Sequence, residues 1–305
     1  MDGILAINKP PGLTSHDVIN RVRRLTGQRR VGHAGTLDPL ATGVLVVCLG
    51  QATRVAEYLA DGSKTYCAEV VLGVSTDTYD AEGQVTRTAS VTATLGDIQV
   101  ALAGFLGDIA QVPPAYSAIK RGGEPLYRGA RAGRPVTVEP RQVSIHEIRV
   151  VVYEPPALVM QVACGKGTYI RSLAHDLGER LGCGGHLGSL VRLQSGRFGL
   201  DDALTLQELA LAVEHGYLAD LLYPLDEALL DTFALILGPE RALMLGQGKR
   251  LPVATLGPQA KASVLPVETP AAALCRAYDI DGAFLAVGRL DLASGCWQPE
   301  KVFVH

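Results

Sequence analysis

The stretch "VSIHEIRVVVYEPPALVMQVAC", Val143 to Cys164, decides the fold class. Two runs rich in β-branched, aromatic and other apolar residues, a composition that favours strands, are separated only by Pro155 and Pro156. A parallel connection needs a crossover of a dozen or more residues, so two strands joined this closely pair antiparallel as a hairpin. Outward from it, "KTYCAEVVLG" (64 to 73) reads as a strand with Tyr66, Ala68 and Val70 on one face. "ILAIN" (4 to 8) is a short strand and "GVLVVCLG" (43 to 50) a buried one. Thr14 or Ser15 caps a helix carrying Val18, Ile19, Val22 and Leu25, which Gly27 ends, and "ATRVAEYLA" (52 to 60) is a short helix.

After "CGKG" (164 to 167), Ile170, Leu173, Ala174, Leu177 and Leu181 form the apolar stripe of a helix with Thr168 near its start. Arg171 and His175 lie one turn apart, off most of that stripe. "HLGSLVRLQSGRF" (186 to 198) reads as one further strand, and "TLQELALAV" (205 to 213) and "LDEALL" (225 to 230) as acidic helices. From about Leu237 the texture changes to short strands and Gly/Pro turns, a separate small β-rich domain. The class is therefore α+β: a mixed, largely antiparallel central sheet flanked by helices over residues 1–236, then a β-rich unit over 237–305.

Composition narrows the function. A chain of 305 residues with 48% hydrophobic content has room for one large and one small folded domain. The N-terminal "MDGILAINKPPG" has no basic segment followed by an apolar run and a cleavage site, and no run of about 18 uncharged apolar residues occurs. Neither export nor a membrane span is expected. Six scattered cysteines without a C-x-x-C pair suit a reducing cytoplasm, and Cys183 with His186 in "GCGGHLG" lacks a second ligand pair, so a Gly-rich turn is the plainer reading.

The net charge of -3 conceals an asymmetry: residues 1–198 hold 21 Lys+Arg against 17 Asp+Glu, and residues 199–305 hold 7 against 14. Basic residues concentrate in "RVRRLTGQRR" (21 to 30) and between Lys120 and Arg141. Such clusters either neutralise phosphates or form a solvated surface, and composition alone supports both.

In "VGHAGTLDPLATGVLVV" (31 to 47), Asp38 stands alone, with no second acid within nine residues on either side. Asp before Pro also initiates ordinary turns. The loop lacks the Lys-Ser/Thr ending of a phosphate-binding loop, and hydrolysis of a glycosidic bond calls for two carboxylates. A solitary acid suits a nucleophile better than an acid/base pair.

"GHAGTLDPLATGVLVVCLGQATR" (32 to 54) resembles the catalytic motif of the TruB family of tRNA pseudouridine synthases. Four further stretches match that family in the same order: "NKPPGLTSHDV" (8 to 18), "KTYCAEVVLGVSTDTYDAEG" (64 to 83), "QVPPAYSAIKRGGEPLYRGARAG" (111 to 133) and "GTYIRSLAHDLG" (167 to 178). The resemblance implies the pseudouridine synthase fold, an RNA-gripping insertion at about 111–142, and a PUA-like domain over 237–305. It also implies the reaction: the N1–C1′ bond of uridine 55 in the tRNA T-loop breaks, the uracil rotates, and it rejoins through C5. Atoms and redox state are unchanged, so neither cofactor nor metal is required.

By the same resemblance Asp38 is the nucleophile, acting at C1′, at C6, or by assisting elimination at C2′. Arg171 is its cationic partner, whose planar fork can hold a carboxylate bidentately and offset the effect of burial on a group that titrates near ~3.9 when free. Tyr66 matches the tyrosine that stacks on the uracil and can accept the C5 proton, Tyr169 a second tyrosine near the pocket, and Leu190 an apolar residue against the pyrimidine face. His33 matches the histidine that fills the gap left by the flipped base. Asp80 matches an acid tied to the tyrosine network and Lys9, with Pro10, a loop shaping the site. Lys120, Arg128 and Arg131 fall in the insertion and become phosphate contacts.

The implied partner is the T-arm of tRNA, with no obligatory protein partner and a monomeric enzyme. Two other readings remain at this point: a tRNA-binding or folding factor acting by binding, and the RNA-guided rRNA branch of the superfamily. The acidic C-terminal tail and the intact set of Asp38, Tyr66 and Arg171 favour a stand-alone enzyme.

Overall fold

The structure is a computed structural model that describes residues 1–116, 120–121, 124–125, 138–252, 272–291 and 293–303. β1 (Gly3–Lys9), α1 (Ser15–Thr26), β2 (Val31–His33) and β3 (Thr42–Leu49) come first, and α2 (Ala56–Asp61) leads into β4 (Lys64–Leu72). A small hairpin of β5 (Val74–Thr76) and β6 (Val85–Thr88) precedes α3 (Leu95–Ala103) and β7 (Gly107–Gln111). The short strands β8 (Lys120–Arg121) and β9 (Glu124–Pro125) are followed by the long β10 (Arg141–Glu154) and β11 (Ala157–Cys164). Then come α4 (Ile170–Arg180), β12 (Gly185–Ser195), β13 (Phe198–Gly199) and α5 (Leu206–Glu214). The remainder comprises β14 (Phe233–Leu237), α6 (Pro239–Gly246), β15 (Leu251–Pro252), β16 (Ala272–Asp279), β17 (Phe284–Asp291) and β18 (Cys296–Val302).

Among the described residues the central sheet runs β1-β3-β12-β4-β11-β10-β7, with β2 beside β3 and β13 beside β12. The expected hairpin is present: Glu154 pairs with Ala157 across a cis Pro155–Pro156 bond. Every pairing in this sheet is antiparallel except β12 with β3, which run parallel at Val191↔Thr42 and Arg192↔Gly43. A mixed, largely antiparallel α+β architecture results.

Each element follows from its local chemistry. Thr14 and Asp17 form a reciprocal capping box at the start of α1, and Gly27, at φ 66°, ends it in the left-handed region open to glycine. β3 is buried throughout because it is apolar on both faces: Leu45, Val47 and Leu49 face a core shared with α1 and α4, while Val44, Val46 and Cys48 face a second one. β4 alternates, with Lys64, Tyr66, Ala68, Val70 and Leu72 all inward.

Three local readings need correction. "HLGSLVRLQSGRF" is two strands, because Gly196 at φ 58° turns the chain and lets Phe198 pair back on Ser195. "ATRVAEYLA" belongs to a tight 3-10 turn, Gly50–Arg54, followed by α2, and "LDEALL" is a 3-10 turn over Leu225–Leu229. The helix after "CGKG" runs from Ile170, with Thr168 near its start as expected, bonding Gly165 O.

A second sheet, β14-β16-β17-β18-β15, has its own core around the buried Trp297 and begins at Phe233, ahead of the change of texture at Leu237. Val287 and Phe303 from it join Ile4, Ala6 and Val44 in the second core, and Arg54 reaches Val302 O at 2.7 Å. No helix among the described residues is long and apolar enough to cross a membrane.

Gly43 sits at the parallel β3–β12 contact with φ 94°, where an added Cβ would lie 2.3 Å from Arg192 O. Gly43→Ala is expected to cost about 2–3 kcal/mol of stability, measured by denaturant unfolding, because both the dihedral and the close approach exclude a side chain.

Candidate active site

Asp38 lies on the loop between β2 and β3, which is held from outside by buried polar side chains. Ser15 Oγ accepts from Leu37 N at 2.8 Å and donates to Leu37 O at 3.0 Å. Lys9, fully buried, donates Nζ to Pro10 O, Leu13 O and Pro39 O at 2.9, 2.6 and 3.2 Å. Burial brings its ammonium down to about 8, with Asp38 the main opposing influence. Arg192 donates Nε to Val44 O at 2.6 Å and Nη2 to Gly35 O at 3.2 Å. A short loop bonded from three elements has little freedom to reorient its acid.

Arg171, in the first turn of α4, points into the site and is buried although the apolar stripe passes beside it. Its Nε stands 3.0 Å from Asp38 Oδ2, and its Nη1 is 3.2 Å from Asp80 Oδ2 and 3.3 Å from Thr78 O. Nη2 donates to Tyr116 O at 3.0 Å. The expected bidentate grip on Asp38 is thus corrected to a shared one, with a single contact to Asp38 and another to Asp80. The reason lies in the turn carrying Asp80, which docks on β12 through Ala81 N to Leu187 O and Leu187 N to Tyr79 O. Asp80 also accepts from Thr78 Oγ1 and Glu82 N, so its carboxylate is held by its own turn as well as by Arg171.

The Asp38 side chain is 36% exposed and lies recessed in the wall that both openings share. Burial pushes its carboxyl above the ordinary range; Arg171 pulls it back and Asp80 adds to the rise. Tyr66 is buried on β4, and its phenol is pushed up by burial, against the pull of Arg192.

Asp38, Tyr66, Tyr169, Arg171, Leu190 and Arg192 line one cavity of about 280 Å³. Tyr169 caps α4, and its backbone N and O are both bonded by the buried Gln111 amide at 2.8 and 3.0 Å. His33 does not line this cavity. It lies in a neighbouring cleft of about 810 Å³ that shares Thr36, Leu37, Asp38 and Arg171 with the first and is also lined by Asp80. Burial and then Arg192 push the His33 imidazole down, which favours its neutral form. Lys9 lies beneath the loop and not in either opening. Lys120 is placed on the backbone of β8, and Arg128 and Arg131 lie outside the described residues.

Sequence reasoning passed over Arg192, Lys64, Ser15 and Gln111. A signal existed for the first two: Leu190 and Arg192, like Tyr66 and Lys64, are two apart in a strand and share a face. For Ser15 and Gln111 the contact lies far along the chain and nothing local marks it. Among the described residues no three His, Cys, Asp or Glu side chains are grouped to hold a metal; His186 Nδ1 instead lies 2.8 Å from Val74 O.

Two stability outcomes follow. Asp80→Asn removes an anion from a buried ion pair and is expected to cost about 3 kcal/mol in denaturant unfolding. Asp38 behaves oppositely. Its folded-state pKa is above the unfolded one, so ionising it opposes folding once pH rises through that window. Asp38→Asn is therefore expected to leave the melting temperature at neutral pH unchanged or raised.

Comparison with known proteins bears on the assignment. Residues 23–170 match the model of the TruB family pseudouridylate synthase N-terminal domain, and residues 171–230 that of the tRNA pseudouridylate synthase B C-terminal domain. A Dehalococcoides mccartyi protein named tRNA pseudouridine synthase B is 44% identical over 306 residues, covering 100% of this chain and 97% of its own. One of the same name from Xanthomonas oryzae pv. oryzae is 45% identical, covering 99% and 94%. A solved Cbf5-Nop10-Gar1 complex contains a chain 25% identical, with TM-score 0.75, covering 99% of this chain and 85% of that one. Sequence identity of this extent, over the whole chain and through both matched domains, places the protein in the TruB family of tRNA pseudouridine synthases, which are isomerases.

Proposed function

We propose that this chain converts uridine 55 in the T-loop of tRNA to pseudouridine with Asp38 as the nucleophile. The observation that carries the reading is the Arg171–Asp38 contact of 3.0 Å at the wall of a cavity lined by Tyr66 and Leu190. A carboxylate fixed at the wall of a cavity that Tyr66 and Leu190 also line suits attack on a base or ribose held there. Tyr66 and Leu190 then sandwich the uracil, Tyr66 receives the C5 proton, and Tyr169 packs the sugar side. His33, neutral and flanking the same acid from the adjoining cleft, fills the space the flipped base leaves.

In this reading residues 1–236 form the catalytic domain, 111–142 the RNA-gripping insertion with Lys120, Arg128 and Arg131 on phosphates, and 237–305 a PUA-like domain. The enzyme acts in the cytoplasm as a monomer on the T-arm, without cofactor, metal or guide RNA. Identity of 44% to a relative named for tRNA favours this substrate over a guided rRNA target.

The test is an unmodified T-arm stem-loop incubated with purified protein, followed by pseudouridine mapping. Wild type should modify uridine 55 of the loop; Asp38→Asn should form no pseudouridine while binding the RNA as tightly. A variant that still modifies the RNA removes Asp38 from the role, and a requirement for a guide RNA removes the stand-alone reading. Because the ionised carboxylate is the reactive form and burial raises its pKa, single-turnover rate should fall on acidification starting above the ordinary carboxylate range.

A further inference from the structure

Behind the Tyr66 wall lies a buried cation whose hydrogen-bond partners are neutral main-chain carbonyls. Arg192 is 1% exposed, and its bonds go to the carbonyls of Val44, Gly35 and Thr36, the last at 3.5 Å. Among the described residues no carboxylate pairs with it. Burying a guanidinium this way is costly compared with an apolar side chain of similar volume, so packing gives no reason for the residue. Its position does: Arg192 is the register partner of Tyr66 across β12 and β4, both side chains line the same cavity, and the Arg192 charge favours the Tyr66 anion. The carbonyls it holds flank Asp38 on both sides.

We infer that Arg192 is a positioning residue that joins the two halves of the site, fixing the Asp38 loop with one part of its fork and, with the rest, holding the Tyr66 phenol and supporting negative charge on its oxygen. The inference rests on the function proposed above. When the C5–H bond of the rejoined uracil breaks, its electron pair forms the C5–C6 double bond, the C6–N1 π pair moves onto N1, which takes a proton from solvent, and the C5 proton passes to the Tyr66 oxygen. That oxygen accepts it as phenolate, its own proton having left earlier to solvent, and a phenolate in a buried cavity needs a cation. Facing it are Arg192 from β12, Cys164 from β11, Lys64 from its own strand, Arg171 from α4 and Asp38 from the loop. Of these, Arg192 is the strongest influence favouring the anion.

The experiment uses the full-length protein with ¹³C-ζ tyrosine, Tyr66→Phe assigning the resonance, and the T-arm stem-loop as probe. In R192M the Tyr66 resonance should keep its neutral-phenol position to a higher pH than in wild type. The single-turnover rate should fall about 100-fold with RNA affinity unchanged. R192K keeps the charge but not the fork: Tyr66 should titrate close to wild type while the rate still falls, and this variant serves if R192M does not fold. Unchanged titration in R192M, or wild-type rate in R192K, overturns the inference. The titration is read in the free protein, so wild type that leaves the stem-loop unmodified would defeat the proposed function without deciding the role of Arg192.

Discussion

One guanidinium divided between two carboxylates is the constraint on which the site depends. Arg171 meets Asp38 at 3.0 Å and Asp80 at 3.2 Å, so a single cation stands against two acids. Asp80 is held by further hydrogen bonds from its own turn, whereas Asp38 has Arg171 as its charged partner and lies open at the cavity mouth. The division leaves Asp38 with only part of the compensation that a bidentate pair would provide, which is why burial wins and its carboxyl is raised. A carboxylate less stabilised in this way is a better nucleophile than one fully neutralised, provided it is held in place.

Placement comes from groups that carry no negative charge. Lys9, Ser15 and Arg192 all grip the Asp38 loop through main-chain atoms, so they fix its shape without adding anions beside the acid. Neutral carbonyls satisfy the buried cations by hydrogen bonding, at the expense of a lowered ammonium for Lys9. Their positive charge stays available to the cavity, where it favours anionic forms of Asp38 and Tyr66. The parallel β3–β12 contact makes this possible by bringing Arg192 alongside Gly43, and only a glycine admits so close an approach.

Much of the fold was legible because it is written in local patterns. The Pro155–Pro156 break gave the hairpin, the alternation of "KTYCAEVVL" gave the inward face of β4, and Thr14 and Gly27 gave both ends of α1. Of the site, Asp38, Tyr66, Tyr169, Leu190 and Arg171 were named from motifs and meet in one cavity. Arg192 was hidden because a lone arginine in a strand reads as solvent-facing by charge, although its spacing from Leu190 put it inside. The fork shared with Asp80 was hidden for another reason: which carboxylates a guanidinium reaches depends on the docking of separate elements.

By itself the sequence determined which elements form and which faces are apolar, because those follow from periodicity and capping, and its motifs carried the family resemblance that named the candidate residues. Only the tertiary structure decided how charge is distributed among them. Asp38, Tyr66, Arg171 and Arg192 come from four elements spread over some half of the chain, and they meet because β12 lies between β3 and β4 with α4 against it. Coulombic and desolvation effects depend on distances of a few ångströms between such groups, and no separation along the chain encodes those distances.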